Sequence, residues 1–332
     1  MRIVIAPDKF KGTASAQEIA DSIASALRQA GHDVVVVPMA DGGEGTLDAL
    51  GGPNRTTTVT GPNGEQVAAA WRLSKRLAVI EMALASGLVL AGGAAENDPL
   101  NATTRGTGEL IDVAITRGAQ RIIVGLGGSA TTDGGLGAVE ALGSSARLSG
   151  VTLEAATDVN TLFVDAARVF GPQKGATPPQ VAFLESRLRG LATRYRDTYG
   201  VDVREVVGSG AAGGLGGGLV ALGATVVSGF ELIADELGLF EEIEKADVVI
   251  TGEGLLDDES FNGKVVGGVA EMAKECGVRV VVIAGQVDEA ISARFMEDVT
   301  VVSLADLFGL QRAMRDAASC CAEAVMSVVE PT

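Results

Sequence analysis

MRIVIAPDKFKGTASAQEIADSIASALRQAGHDVVVVPMADGGEGT, residues 1–46, decides the fold class. Residues 2–6 are apolar enough for a buried strand, and 7–13 form a polar loop. Ser15 then caps a helix whose Ile19, Ile23, Ala26 and Leu27 recur at helical spacing. A second strand over 34–37 is Val throughout and runs toward the loop Ala40-Asp41-Gly42-Gly43-Glu44-Gly45-Thr46. A strand without a polar face needs cover on both sides. Strand–helix–strand connectivity provides it in a parallel sheet, so the expectation is an α/β fold.

Further along, residues 55–60, 66–72 and 77–82 read as short strands. Gly61-Pro62-Asn63-Gly64 joins the first pair, a hairpin signal that makes this part antiparallel. From Arg121 the strand–glycine loop–helix pattern returns, with Ile122-Ile123-Val124, a loop over 125–137 and a helix to Leu142. Residues 174–200 read as a long charged amphipathic helix, and 205–218 as another strand entering a glycine loop. Three Val-rich strands (247–251, 279–284 and 299–303) follow, with helices over 264–275 and 311–329. At roughly 150 residues per domain, 332 residues suggest two domains. The expected division is 1–60 plus 244–332 as one α/β domain, with 61–243 inserted.

Composition removes several functions. Lys and Arg number 26 against 43 Asp and Glu, a net charge of −17. Binding nucleic acid takes clustered basic residues, so no such partner is expected. The mean hydropathy of +0.30 comes from Ala and Val spread over short elements. No apolar run approaches the roughly 18 residues of a membrane span, and no signal peptide is evident, so the expected location is the cytoplasm. His32, the single histidine, sits in a Gly31-His32-Asp33 turn, which sets aside Ser-His-Asp triads and His-rich metal sites. Three cysteines without C-x-x-C spacing read as reduced thiols. The sequence leaves the oligomeric state open, a homodimer included.

Glycine is the outlier, with 45 residues gathered in a few loops. No Walker loop is present, because Gly263-Lys264 is followed by Val265. Two Rossmann-like runs occur, Gly125-Leu126-Gly127-Gly128-Ser129-Ala130 and Gly208-Ser209-Gly210-Ala211-Ala212-Gly213, the second with Glu231 about 20 residues on. They support an alternative, an NAD-dependent oxidoreductase of a small hydroxy acid. More generally, backbone N–H groups clear of Cβ atoms suit anions. Three of the glycine loops are also acidic: the Asp41 loop, Thr251-Gly252-Glu253-Gly254 with Asp257 beyond it, and Thr131-Thr132-Asp133-Gly134-Gly135. Helix capping would explain any one of them. Three together favour Mg²⁺, whose hard oxygen ligands bridge it to polyphosphate. Lys9, Lys11 and Lys264 are nearby cations, and Thr103-Thr104-Arg105 suits a small carboxylate.

These segments also carry a resemblance. MRIVIAPDKFKG (1–12), PMADGGEGT (38–46), EMALASGL (81–88), NATTRGTGEL (101–110) and VFGPQKGATP (169–178), with 125–137, 210–218 and 250–257, resemble the bacterial glycerate kinase family over nearly the whole chain. The resemblance implies ATP-dependent, Mg²⁺-assisted phosphorylation of D-glycerate, with 2-phosphoglycerate the favoured product. It also implies two α/β domains, one flavodoxin-like with a mostly parallel sheet and one with a mixed sheet, with the active-site cleft between them. Under this reading Asp41, Glu253 and Asp257 are metal-side carboxylates. Gly127, Gly128, Ser129, Gly210, Gly213 and Gly214 cradle nucleotide phosphates. Lys11 and Lys264 offset phosphate charge, and Asp133 or Asp8 accepts the substrate proton. Thr103, Thr104 and Arg105 take the glycerate carboxylate. The chain departs from the family pattern at Lys9 (usually Ser), Thr132 (usually Asn) and Leu255 (usually Arg). Leu255, together with a segment over 143–157 that is shorter than the family's, defines a second alternative, a catalytically weakened, ligand-binding relative.

Overall fold

The computed structural model describes residues 1–261, 264–288 and 299–329. Among them the strands are β1 (Arg2–Ile5), β2 (Asp33–Val36), β3 (Arg55–Thr60), β4 (Gln66–Ser74), β5 (Leu77–Glu81), β6 (Arg121–Gly125), β7 (Thr152–Ala156), β8 (Thr225–Val227), β9 (Val248–Leu256), β10 (Arg279–Val287) and β11 (Val299–Ser303). The helices of seven or more residues are α1 (Ala16–Gln29), α2 (Arg105–Thr116), α3 (Leu136–Leu142), α4 (Pro178–Tyr199), α5 (Ala211–Ala221), α6 (Gly229–Leu237), α7 (Val265–Cys276) and α8 (Ala317–Val329). The chain divides into two compact units, Met1–Asp41 with Phe230–Thr332, and Gly42–Gly229.

The first unit holds a sheet ordered β2-β1-β9-β10-β11, parallel at every pairing. Counted within the unit this is the order 2-1-3-4-5, the flavodoxin-like arrangement, whose direction of winding reverses between β1 and β9. Ser15 begins α1 with a capping box shared with Glu18, satisfying backbone donors that the first helical turn leaves unpaired. Ile19, Ile23 and Leu27 of α1 then bury against Ile3, Ile5, Ile250 and Val325, the last from α8. Cys320 and Cys321 lie in the same core as free thiols.

The second unit holds a mixed sheet ordered β3-β4-β5-β6-β7-β8. It is antiparallel across β3, β4 and β5, and parallel from β5 to β8. Trp71 is fully buried in its core, and its indole N–H donates to Thr57 Oγ1 at 2.9 Å, so the polar end of the ring is satisfied.

Several expectations need revising. The first division falls at 41/42 rather than near 60, because β3 pairs with β4 in the second sheet. The later one falls at 229/230 rather than near 244: Phe230 packs so closely on Gly268 of α7 that a Cβ there would collide with its ring. Residues 205–218 contain no strand. A single 3₁₀ turn, Val203–Glu205, precedes α5, whose Ala212, Gly213 and Gly214 take left-handed conformations. The helix expected over 311–329 is broken, with Leu310–Arg315 ending before α8 begins. β7 and β8 are short strands absent from the sequence reading. Among the described residues no helix is long and apolar enough to cross a membrane.

Candidate active site

In the first unit the geometry starts at β1 and β9. Ala6 N donates to Ile250 O and Asp8 N to Gly252 O, both at 2.8 Å, so pairing continues past the end of β1 and carries Asp8 along β9. Gly252 permits close passage of β10, since a Cβ there would run into Ile283 O. On the other side of β1, Val37 N donates to Ile5 O and Met39 N to Pro7 O, which leads the chain from β2 to Asp41. Carboxylates at positions 8, 41 and 253 are thereby delivered to the carboxyl ends of strands around the winding reversal, where open α/β sheets bind ligands.

Lys9 ties two of them together. Its Nζ lies 3.4 Å from Asp8 Oδ1 and 3.6 Å from Asp41 Oδ1, and its own backbone N–H donates to Asp8 Oδ1 at 2.7 Å. Burial pushes the Asp8 carboxyl up to about 6; the Lys9 charge opposes this, and the Asp41 charge adds to it. Burial pushes Glu253 up to about 7, opposed by a bond from Ser260 and reinforced by the Asp8 charge. Glu253 Oε1 is buried without a hydrogen-bond partner.

Among the described residues no group of three or more His, Cys, Asp or Glu side chains is arranged to cage a metal. Mg²⁺ does not require such a cage: it takes one or two carboxylates and completes its shell with water and substrate phosphate. An orphaned buried carboxylate oxygen with acidic neighbours fits that donor set.

Two further expected residues have local tasks. Asp257 Oδ1 accepts from Glu259 N at 2.9 Å, Ser260 N at 3.1 Å and Ser260 Oγ at 3.2 Å, capping the 3₁₀ turn Asp258–Phe261. Lys264 precedes α7, and its Nζ pairs with Glu259 at 2.9 Å. Burial alone would lower its pKa, but the bond to Glu259 and the charges of Glu259, Asp257 and Glu253 raise it overall. Lys11 is exposed and pairs with no acid among the described residues.

In the second unit the loop after β6 is the main feature. A Cβ at Gly127 would collide with Gly43, and Gly128 has φ +72°, so both positions call for glycine. Leu88 N donates to Gly128 O at 2.9 Å and Ala130 N to Ser86 O at 3.0 Å. The amides of Gly128 and Ser129 donate to no group among the described residues. Lys174 Nζ donates to Ser129 Oγ and to Thr131 O, each at 2.7 Å. Three more side chains strap the loop down. Asn97 Nδ2 reaches Ala130 O at 3.0 Å, Arg187 reaches Thr132 O at 2.7 Å, and the Tyr195 hydroxyl reaches Gly134 O at 2.9 Å.

Other sequence expectations for this unit give way to architecture. Asp133 Oδ2 accepts from Thr104 N, Thr104 Oγ1 and Gly137 N at 2.9, 2.8 and 3.1 Å, and Oδ1 accepts from Gly135 N at 3.0 Å. Its lone pairs are spent on joining a neighbouring loop to the start of α3, which displaces the proton-acceptor role expected of it. Thr104 is fully buried in that linkage, so it does not face a substrate carboxylate. Thr103 Oγ1 accepts from Arg105 N at 3.2 Å, and the Arg105 guanidinium pairs with Glu109 at 3.0 Å one helical turn on. The expected phosphate cradle at Gly210, Gly213 and Gly214 is buried instead. The Gly210 and Gly214 amides already donate to Thr161 O and Gly210 O, and Gly213 packs against Thr131.

Neither Rossmann-like run has the context its fingerprint demands. Gly125 to Ala130 leaves β6 but reaches no helix until Leu136, and Gly208 to Gly213 follows a 3₁₀ turn instead of a strand.

Two residues with evident roles escaped assignment from sequence, Lys174 and Glu81, while Lys9 was read as a cation but not as the tie between Asp8 and Asp41. Glu81, at the end of β5, is buried and accepts from Gly45 N at 3.0 Å and Leu47 N at 2.7 Å, fixing the glycine loop after Gly42. Burial raises its pKa, the Leu47 bond opposes this, and Asp48 adds to it. For Glu81 and Lys174 the available signal was their presence within EMALASGL and VFGPQKGATP, segments quoted only for resemblance.

Comparison with known proteins gives one consistent result. The glycerate kinase family model matches residues 3–147 and 144–331. Glycerate 2-kinase of Escherichia coli (strain K12) is 42% identical, over 91% of this chain and 90% of that protein. Glycerate kinase of Haemophilus influenzae is 39% identical over the same shares. A crystal structure titled as a glycerate kinase 2 from Salmonella typhimurium LT2 superposes with a TM-score of 0.81 at 37% identity, covering 99% of this chain and 98% of that one.

Proposed function

The chain belongs to the glycerate kinase family, and on that premise we propose that it transfers the γ-phosphoryl group of ATP to D-glycerate with the help of Mg²⁺, giving 2-phosphoglycerate. The observation that carries this reading is the Asp8–Lys9–Asp41 ion cluster, with the Glu253 carboxylate on the neighbouring strand β9, at the winding reversal of a flavodoxin-like sheet.

Phosphoryl transfer asks a protein for position and charge more than for covalent chemistry. Asp41 and Glu253 are the residues that would hold Mg²⁺, which supplies neutralisation of charge on the phosphate oxygens. Asp8, held by its backbone bond to β9 and by Lys9, accepts the proton that the glycerate hydroxyl gives up. Lys9 keeps the Asp8 and Asp41 carboxylates from repelling each other apart. Lys264, in the field of Glu253 and Asp257, offsets phosphate charge.

The test is ADP release on adding D-glycerate to the protein with ATP and Mg²⁺, followed by ³¹P NMR of the product. A resonance of 2-phosphoglycerate is expected. ADP release no faster than without glycerate removes the kinase reading, and a 3-phosphoglycerate resonance corrects the product. Asp41→Asn is expected to lower kcat at least about 100-fold with an unchanged circular dichroism spectrum, the scale of a lost electrostatic group. Wild-type turnover in that variant takes Asp41 out of the site.

A further inference from the structure

Lys174 is a buried amine that the reaction scheme leaves unused. Its side chain is only 2% exposed, and its ammonium meets one hydroxyl, one backbone carbonyl and, at 5.9 Å, the face of Phe170. No carboxylate touches it among the described residues. Burial pushes its pKa down to about 7, opposed by the charge of Asp133, whose oxygens are held by Thr104 and by the start of α3, so a bound anion would restore the full ammonium charge. Removing an ammonium from water without a contacting counter-ion costs several kcal/mol. A fold that only needed to staple Ser129 to Thr131 would do so at lower cost with a neutral amide side chain.

The surroundings of Lys174 supply what an anion would need. Ser129 Oγ accepts from the ammonium, so its own hydroxyl proton must point elsewhere. The two consecutive amides Gly128 N–H and Ser129 N–H are unengaged, in a turn where Gly128 is left-handed. A cation, a directed hydroxyl and two backbone donors make a complementary set for one oxyanion.

We infer that Gly128 N–H, Ser129 N–H and the Ser129 hydroxyl form an oxyanion site, with Lys174 behind them as the positioning residue that orients the hydroxyl and supplies the positive charge. The ligand is a carboxylate or phosphate group of a substrate. The inference rests on the kinase reading for the identity of that substrate, though not for the existence of the site.

The experiment is an NMR titration of the ¹⁵N-labelled full chain with inorganic phosphate and, separately, with D-glycerate, following the Gly128 and Ser129 amides. Saturable shifts of both amides are expected with at least one of the two anions, and the tighter binder identifies the source as phosphate or carboxylate. Lys174→Met is expected to weaken that binding tenfold or more, and Ser129→Ala by threefold or more. In turnover assays the KM of the corresponding substrate should rise in step while kcat stays within about threefold, a split that a general loosening of the fold would not give. The proposal falls if neither anion moves the two amides, or if Lys174→Met binds as tightly as the wild type. Should Lys174→Met not fold, an unchanged affinity in Ser129→Ala overturns it equally. A wild-type chain that fails to phosphorylate D-glycerate yet shows the phosphate shifts would remove the kinase reading and leave this site standing.

Discussion

Burial holds Glu253 in its neutral form well above the usual range for a carboxyl group, and this has a consequence for stability. Its pKa rises from 4.5 to about 7, first through desolvation and then through the Asp8 charge. The native state keeps this proton to higher pH than the unfolded chain does. The favourable contribution is therefore complete below pH 4.5 and is lost as pH rises through about 7. At 1.36 kcal/mol per unit the shift corresponds to roughly 3 kcal/mol as an upper limit. In metal-free buffer, Glu253→Gln is expected to raise Tm at pH 8 and to leave it unchanged at pH 4.5, while turnover collapses. Thermal scans at the two pH values test this, and equal Tm changes at both would mean that the carboxylate is better solvated than its surroundings indicate. Gained stability with lost activity is the pattern expected where a charge is kept for its use in the site.

At the scale of elements, α5 and the loop after β6 constrain each other. Gly134 N donates to Gly213 O, and a Cβ on Gly213, at φ +66°, would be driven into Thr131 O. Gly213→Ala is expected to destabilise the protein by about 3 kcal/mol or more, since both the left-handed conformation and the contact oppose it. Ala212 presents the opposite case. It holds φ 52° with a Cβ, and Ala212→Gly is expected to add about 1 kcal/mol. Urea unfolding of the two variants decides both, and a destabilised Ala212→Gly would show that the Ala methyl packs better than its backbone strain costs. This region also shows why sequence reading succeeds in one place and fails in another. The strands β1, β2 and β9 to β11 were legible because an apolar run between polar loops is a local signal. In 205–218, glycine repetition imitated a strand-to-loop pattern, and nothing local reveals that the segment turns back on residues 131–134. The same limit hid the work of Asp133 and Lys174. Residue type advertised a base in one and nothing in the other, while their tasks are set by partners 29 and 45 positions away. Asp41 lies in the acidic loop after β2 as read, whereas Glu253, read as a loop residue beyond a strand ending at Thr251, lies inside β9 opposite Ala284 of β10. Lys9 between Asp8 and Asp41 follows only from the β1–β2 and β1–β9 pairings.

For the whole molecule, the separation of the two hydrophobic cores governs how it should unfold. Among the described residues, the buried members of the core built on β1, β9 and α1 come from residues up to Val34 and from Val248 onward, and those of the core around Trp71 come from Val59 to Ala224. The second unit is also a single stretch of chain, Gly42–Gly229, whereas the first is assembled from both ends of the sequence. A continuous segment with its own six-stranded sheet and its own apolar core meets the requirements for independent folding. The fragment 42–229 is therefore expected to be folded by itself, with a cooperative thermal transition in circular dichroism. Trp71, the only tryptophan, lies buried in that unit, so its fluorescence isolates the same event in the full chain. Urea titration of the full chain should give a fluorescence midpoint that reports the second unit, and this midpoint should recur in the fragment within about 0.5 M. The circular dichroism curve of the full chain would contain the first unit as well and need not coincide with it. A fragment without a cooperative transition would show that the second core depends on residues outside its own stretch. The compact division of the backbone would then not be a division of stability.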